Sequence, residues 1–349
     1  ILTWLGALDE KAKITDLGRL MSVFPIAPRF SKMLIVGQQH GCLPYIIAIV
    51  ATLTVGDPFV REYHQQSFTE DDYEDDEAKS LEAENLTNER IIEKEKRKAL
   101  RARFLKSQAM LMGTDPSSDC LRLLSAVGAY EFGGGSNEFC QQHFLRPKAM
   151  VETRKLRSQL THLVQVNCPG VDISLDPQMQ PPTSKQRLVL RQAILAGFLD
   201  QVAIRVDIAG PSCGISAAAF EELAQHHKSG GDRKRQPAAY VTMWSGEPVF
   251  ISPESVVHPA QSSRIKVGGE RGGMVWPDLV VYTELQQTSR LYMKGVTQIS
   301  PKWLVSIARD MCEFGKPRVS PLPKYNKERT QMECWVDVTF GPKRWTLPP

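Results

Sequence analysis

Two stretches of this sequence interleave cations with aromatic rings. The first lies between Phe139 and Arg157 and holds His143, Phe144, Arg146, Lys148 and Arg154. The second holds Arg264, Lys266, Arg290, Tyr292 and Lys294. Guanidinium and ammonium groups grip phosphate oxygens, and flat rings stack on bases. The chemistry on offer is therefore retention of a nucleic-acid backbone, with His143, Arg146, Lys148, Arg154, Arg264, Lys266, Arg290 and Lys294 as the candidate contacts. The bland alternative stays open: Phe144 can be core, and a single Lys or Arg is usually just solvated.

The same inspection finds no catalytic centre. No Gly-x-x-x-x-Gly-Lys-[Ser/Thr] loop occurs, and the glycine cluster Gly268–Gly273 lacks both the lysine and a following helix. Nothing places Ser, His and Asp in a persuasive local arrangement. The seven cysteines form no Cys-x-x-Cys pair, and the seven histidines form no His-Glu-x-x-His, so no metal site is expected. An odd, scattered set of thiols fits a reducing compartment. Carboxylates concentrate in the block Glu70–Glu77, where solvation works against pKa tuning. Ser67 and Thr69 each precede an acidic residue by three positions, which makes them candidate phosphorylation sites for an acid-directed kinase.

These residues need a scaffold. At 349 residues, 42% hydrophobic and 23% charged, the chain suits two or three soluble globular domains. Its longest apolar stretch, Leu43 to Val55, is shorter than the roughly 20 residues of a membrane span, so no membrane partner is expected. A net charge of +4 permits a nucleic-acid partner without demanding one. Ile1 opens in the middle of an apolar pattern with no signal peptide, which reads as a fragment of something longer.

Helical spacing comes first. Phe30, Met33, Leu34 and Gly37 fall on one helix face, and a nearly all-apolar helix from Pro44 to Thr54 belongs at the centre of a bundle. The acidic block and a basic run from Arg90 to Lys106 follow. They read as a solvated insertion or as a regulated arm. Helices are expected over Lys98–Met112, Asp119–Tyr130, a basic stretch carrying Arg146 to Arg157, and Ser184–Gly197. After Gly197 the period changes to two. Val202–Ile208, Tyr240–Trp244, Val249–Ile251, Leu279–Leu285 and Leu291–Val296 read as five short strands, for which a Greek-key barrel is a natural solution. A short helix over Pro301–Glu313 and a Pro-rich tail with one strand, Trp335–Phe340, complete an α+β chain.

Several runs in fixed order carry a resemblance. They are Leu2–Asp9, Ile14–Gly18, Met21–Pro28, Lys32–Ile35, Gly41-Cys42, Ile49–Val55 and Asp57-Pro-Phe-Val60. Further on come Phe144-Leu145, Met150, Arg157–Leu160, Gly197-Phe198, Tyr282-x-Glu284, Thr288, Met293 and Trp303-Leu304. Together they resemble the C-terminal region of DEAH/RHA-box RNA helicases over roughly residues 1–310. The resemblance implies the end of a winged-helix domain (1–25), a helical ratchet domain (26–197) with a charged insertion at about 62–100, a five-stranded OB-type barrel (198–315) and a C-terminal extension (316–349). It implies an ATP-driven 3′-to-5′ RNA translocase whose ATPase domains, with their ATP and Mg, lie N-terminal to this chain. This chain would then hold no cofactor, be inactive alone, and wall the RNA channel.

The insertion and the Trp-bearing tail look like the nucleolar branch of the family, in the small-subunit processome. That branch implies nuclear and nucleolar location and release of the U-three small nucleolar RNA from pre-ribosomal RNA. Its expected partners are single-stranded pre-ribosomal or small nucleolar RNA, the helicase core in cis, and an activating processome protein. One departure stands out. The family's Ile-His-Pro-Ser-Ser run reads Ile251-Ser-Pro-Glu-Ser255 here, so any contact made through that His is in doubt. A second reading makes the barrel, insertion and tail a protein-docking platform, with Trp335 and Trp345 either docking a partner or packing on the chain's own barrel.

Overall fold

The computed structural model describes residues 1–60, 88–113, 115–168, 170–171, 173–174, 176, 178–209, 238–262, 266–267, 270–271, 276–288, 290–318, 320, 322–327 and 330–348. Ser67, Thr69 and Arg264 lie outside them, as does the acidic block.

Eight helices precede the barrel among the described residues: α1 (Asp16–Ser22), α2 (Pro28–Gln39), α3 (Leu43–Val55), α4 (Asn88–Leu111), α5 (Asp119–Phe132), α6 (Asn137–Gln142), α7 (Pro147–Asn167) and α8 (Ser184–Gly197). Their starts follow local chemistry. Thr15, Ser118 and Ser136 accept backbone N–H groups at the starts of α1, α5 and α6. Thr183 and Gln186 form a reciprocal capping box on α8. Proline opens α2 and α7, where its missing N–H costs nothing. Helix α3 is buried almost all round, through Ile46, Ile47, Ile49 and Val50. It packs against α2, α5, α7 and α8. Gly37 lets α2 approach it: a Cβ there would stand 2.8 Å from Ile46 Cγ1. The charged stretch turns helical at Asn88, ten residues before the expected start, because Glu, Lys and Arg are good helix formers even without an apolar face.

The barrel uses the five expected runs, but the fourth bends into two segments and a further segment follows just beyond the end of the fifth, so seven segments result. They are β1 (Val202–Arg205), β2 (Ala239–Thr242), β3 (Pro248–Ile251), β6 (Leu279–Val281), β7 (Glu284–Gln287), β8 (Leu291–Lys294) and β9 (Thr297–Gln298). A small hairpin, β4 (Lys266–Val267) with β5 (Glu270–Arg271), lies between β3 and β6. Strands β1, β2 and β3 pair antiparallel in succession, and β3 pairs parallel with β8. The bent run then closes the ring: its first half, β6, pairs with β1, and its second half, β7, pairs with β8. Residues 206–208 leave the expected strand for a helical turn, α9 (Val206–Ala209), where Arg205 Nε donates to Asp207 Oδ1 at 2.6 Å. A second turn, α10 (Pro259–Ser262), follows β3, and α11 (Pro301–Ile307) follows β9.

Both faces of β1 are buried. Val202 and Ile204 join the core that contains α3 and α8, while Ala203 joins Tyr240, Val249 and Met293 inside the barrel. The tail adds β10 (Cys312–Pro317), β11 (Lys324–Asn326), β12 (Gln331–Glu333), β13 (Val336–Phe340) and β14 (Trp345–Thr346). Trp345 is buried in the main core and its Nε1 donates to Met243 O at 2.6 Å, whereas Trp335 is 60% exposed. No helix of the described residues is long and apolar enough to cross a membrane.

Candidate nucleic-acid interface

The turn that ends α3 builds one wall. Asp57 Oδ1 accepts the Phe59 N–H at 3.0 Å, which fixes the Asp57-Pro58-Phe59 corner. Residues 58–60 then lie antiparallel to 144–146, through Val60 N to Phe144 O at 3.0 Å and Arg146 N to Pro58 O at 2.8 Å. This pairing delivers Arg146 and Lys148, both exposed, to the N-terminus of α7. There they border a concavity of about 720 Å³ that Val60 and Val151 also line. A helix N-terminus with two cations suits phosphate.

Val60 also borders a second hollow, a cleft of about 270 Å³ between the bundle and the barrel. Phe59 and Phe104 line its bundle side, and Ser252, Glu254 and Lys294 its barrel side. Asp119 fastens the two sides together. Its Oδ1 accepts Ser255 Oγ at 3.0 Å and Val256 N at 2.9 Å, its Oδ2 accepts Val296 N at 2.8 Å, and its own N–H donates to Val296 O at 2.8 Å. Ser118 Oγ and Thr297 Oγ1 bond alongside at 2.7 Å. Desolvation pushes the Asp119 carboxyl up, while these donors and Arg122 draw it back down. Arg122 lies over the Phe59 ring at 3.8 Å and donates to Glu254 O at 3.3 Å, on the same cleft.

The candidate contacts separate into groups. Arg146 and Lys148 share one concavity, and Lys294 stands on the adjoining cleft. Arg290 is exposed at the other end of β8, about 13 Å from Lys294 along the strand. Its guanidinium lies over the Phe250 ring at 4.8 Å. His143 is half-buried, with Nδ1 3.2 Å from Ser107 Oγ. Burial and Arg103 hold its pKa below the usual imidazole range, which works against a charged contact to a phosphate. Arg154 is ion-paired with Glu131 at 2.7 Å and stacks on Tyr130, which makes it a brace between α7 and α5. Lys266 lies on β4, paired with Arg271. Phe144 has φ 53° and meets Phe104 edge-on at 5.1 Å. Arg122 escaped the sequence reading. Its one signal is that it is the only cation within the apolar run Cys120–Tyr130. The family's His position, Ser252, is buried on the cleft wall and presents no ring there. Among the described residues no cluster of His, Cys, Asp or Glu could hold a metal ion.

The chain is thus a helical bundle joined to a Greek-key barrel, with Arg122 and Lys294 on the cleft between them. Family models match three parts of the chain. Residues 1–26 match the helicase associated domain (HA2), winged-helix. Residues 27–123 match the helicase associated domain (HA2), ratchet-like, and residues 190–311 the oligonucleotide/oligosaccharide-binding (OB)-fold. The chain belongs to this C-terminal helicase-associated family of DEAH-box RNA helicases. It is similar to the probable ATP-dependent RNA helicase DHX37 of Homo sapiens, at 36% identity over 96% of this chain and 24% of that protein. The probable ATP-dependent RNA helicase kurz of Drosophila melanogaster is 32% identical over 97% of this chain and 25% of its own length. The probable ATP-dependent RNA helicase DHR1 of Saccharomyces cerevisiae is 38% identical over 60% of this chain and 17% of its own length. The chain thus spans about a quarter, or less, of these relatives.

Proposed function

We propose that this chain walls the RNA channel of an ATP-dependent 3′-to-5′ RNA helicase and grips single-stranded RNA by its backbone. The observation that carries the reading is the run of cations from Arg146 and Lys148, past Val60, to Lys294 on the cleft and Arg290 farther along β8. A translocase must slide along any sequence, so contacts to phosphates and 2′-hydroxyls serve it better than contacts to base edges. ATP and Mg would be bound by ATPase domains outside this chain, and the isolated chain would hydrolyse no nucleotide.

The parent protein would act in the nucleolus, separating the U-three small nucleolar RNA from pre-ribosomal RNA during small-subunit assembly, with a processome protein as activator. The charged stretch after residue 60 and the Trp-bearing tail support this narrower placement.

Fluorescence anisotropy of the chain with labelled single-stranded RNA tests the grip. Single-strand binding through about four phosphate contacts should weaken with salt at a log–log slope near −3. The quadruple reversal Arg146→Glu, Lys148→Glu, Arg290→Glu and Lys294→Glu should abolish binding. Unchanged affinity in that variant would sink the proposed path.

A further inference from the structure

The tail carries features that the channel does not use. Residues 316–349 hold seven Lys or Arg against three Asp or Glu, a net charge of +4 that equals the net charge of the whole chain. Everything before residue 316 is therefore electrically balanced. Large apolar side chains stand in solvent here as well. Tyr325 and Met332 are direct cross-strand partners in the β11–β12 hairpin and are 56% and 62% exposed. Trp335, two residues beyond β12, is 60% exposed, and Arg318 N donates to its carbonyl at 2.7 Å. A two-stranded hairpin with neither face covered is marginal in water, and exposed aromatic rings are costly there. Such a hairpin makes sense with something laid upon it.

The arrangement of charge selects the occupant. Two of the exposed rings stand beside exposed lysines: Phe314 with Lys316, and Tyr325 between Lys324 and Lys327. Arg318 is neutralised by Asp337, through Nε to Oδ1 at 2.9 Å, and Lys324 stands opposite Glu333 across the hairpin, so Lys316 and Lys327 carry the field. Protein-binding surfaces gather rings into a dry centre and are depleted in lysine. Surfaces for single-stranded nucleic acid interleave stacking rings with backbone cations.

We propose that the tail hairpin and Trp335 form a stacking platform for single-stranded RNA outside the channel. Bases lie on Tyr325 and Trp335, and phosphates lie near Lys316 and Lys327. The platform shares no residue with the channel, so the two readings stand or fall separately.

The test uses the full chain and two labelled RNAs, one of about 8 nucleotides to fill the channel and one of about 20 to reach further. The variant is Tyr325→Ala with Trp335→Ala, both at exposed positions. Lys316→Glu with Lys327→Glu is the second variant, in case the first perturbs the hairpin. The long RNA should bind about tenfold more weakly to each variant, since one stacked base contributes that much or more. The short RNA should be unaffected, and thiouridine-labelled long RNA should photocrosslink to Tyr325 or Trp335. Equal affinities for both lengths, with no crosslink in the tail, would overturn the platform. Loss of a protein partner from these variants with RNA affinity unchanged would overturn it equally, and assign the surface to protein. If the channel reversal leaves long-RNA binding intact while the tail variants remove it, the channel reading fails and the platform stands.

Discussion

At the residue scale, burial decides what each titratable group can offer. His143 and His258 both sit below the usual imidazole range, His143 through burial and Arg103, His258 through burial beside Trp276. The folded chain therefore refuses protons that the unfolded chain accepts near an ordinary pKa of about 6.5. Their contribution to stability is complete above that pH and declines as pH falls below it. His258→Phe keeps an aromatic ring against Trp276 and removes one such group. Urea denaturation at pH 7.5 and pH 5.5 should show a smaller acid-induced loss of stability in this variant than in the parent; an equal loss would mean His258 titrates normally in the fold. The sequence places His143 among cations and rings, which is why it reads as an RNA contact. Nothing in that spacing reveals Ser107, 36 residues away, or the burial that lowers the ring's pKa. Arg154 hides its partner in the same way, because Glu131 reaches it from another helix.

At the element scale, hydrophobic period was legible and strand continuity was not. The five extended runs are visible as alternation, yet two of them bend, near Thr283 and at Gly295. Gly295 has φ 61°, and a Cβ there would stand 2.0 Å from Thr283 Oγ1, so the two bends nest against each other. A contact between two corners leaves no periodic trace. The tail shows the same split. Trp335 and Trp345 have equal claims as sequence, but only Trp345 reaches the core, seated by its bond to Met243 O. Trp345→Ala should therefore cost about 3–5 kcal/mol in chemical denaturation. Trp335→Ala should stay within about 0.5 kcal/mol. Similar losses from both would mean that Trp335 is packed in solution, and the stacking platform would lose its exposed ring.

At the scale of the whole molecule, the cleft exists because the bundle and the barrel are held as one body. Asp119 is the fastening, since one carboxylate takes donors from two barrel turns while its own N–H bonds to Val296 O. Asp119→Ala orphans those donors and should cost about 3 kcal/mol or more. Its effect on RNA separates two accounts of binding. The carboxylate lies beside the cleft that carries Lys294. If binding depended on charge alone, deleting a negative group there would tighten it. If binding depends on the spacing of the two walls, the loosened fastening weakens it, because cations displaced from one another no longer meet successive phosphates. Weaker binding is the expected result, measured by anisotropy at a temperature where the variant remains folded by circular dichroism. Tighter binding would mean the walls act independently, and the cations alone would then account for the grip.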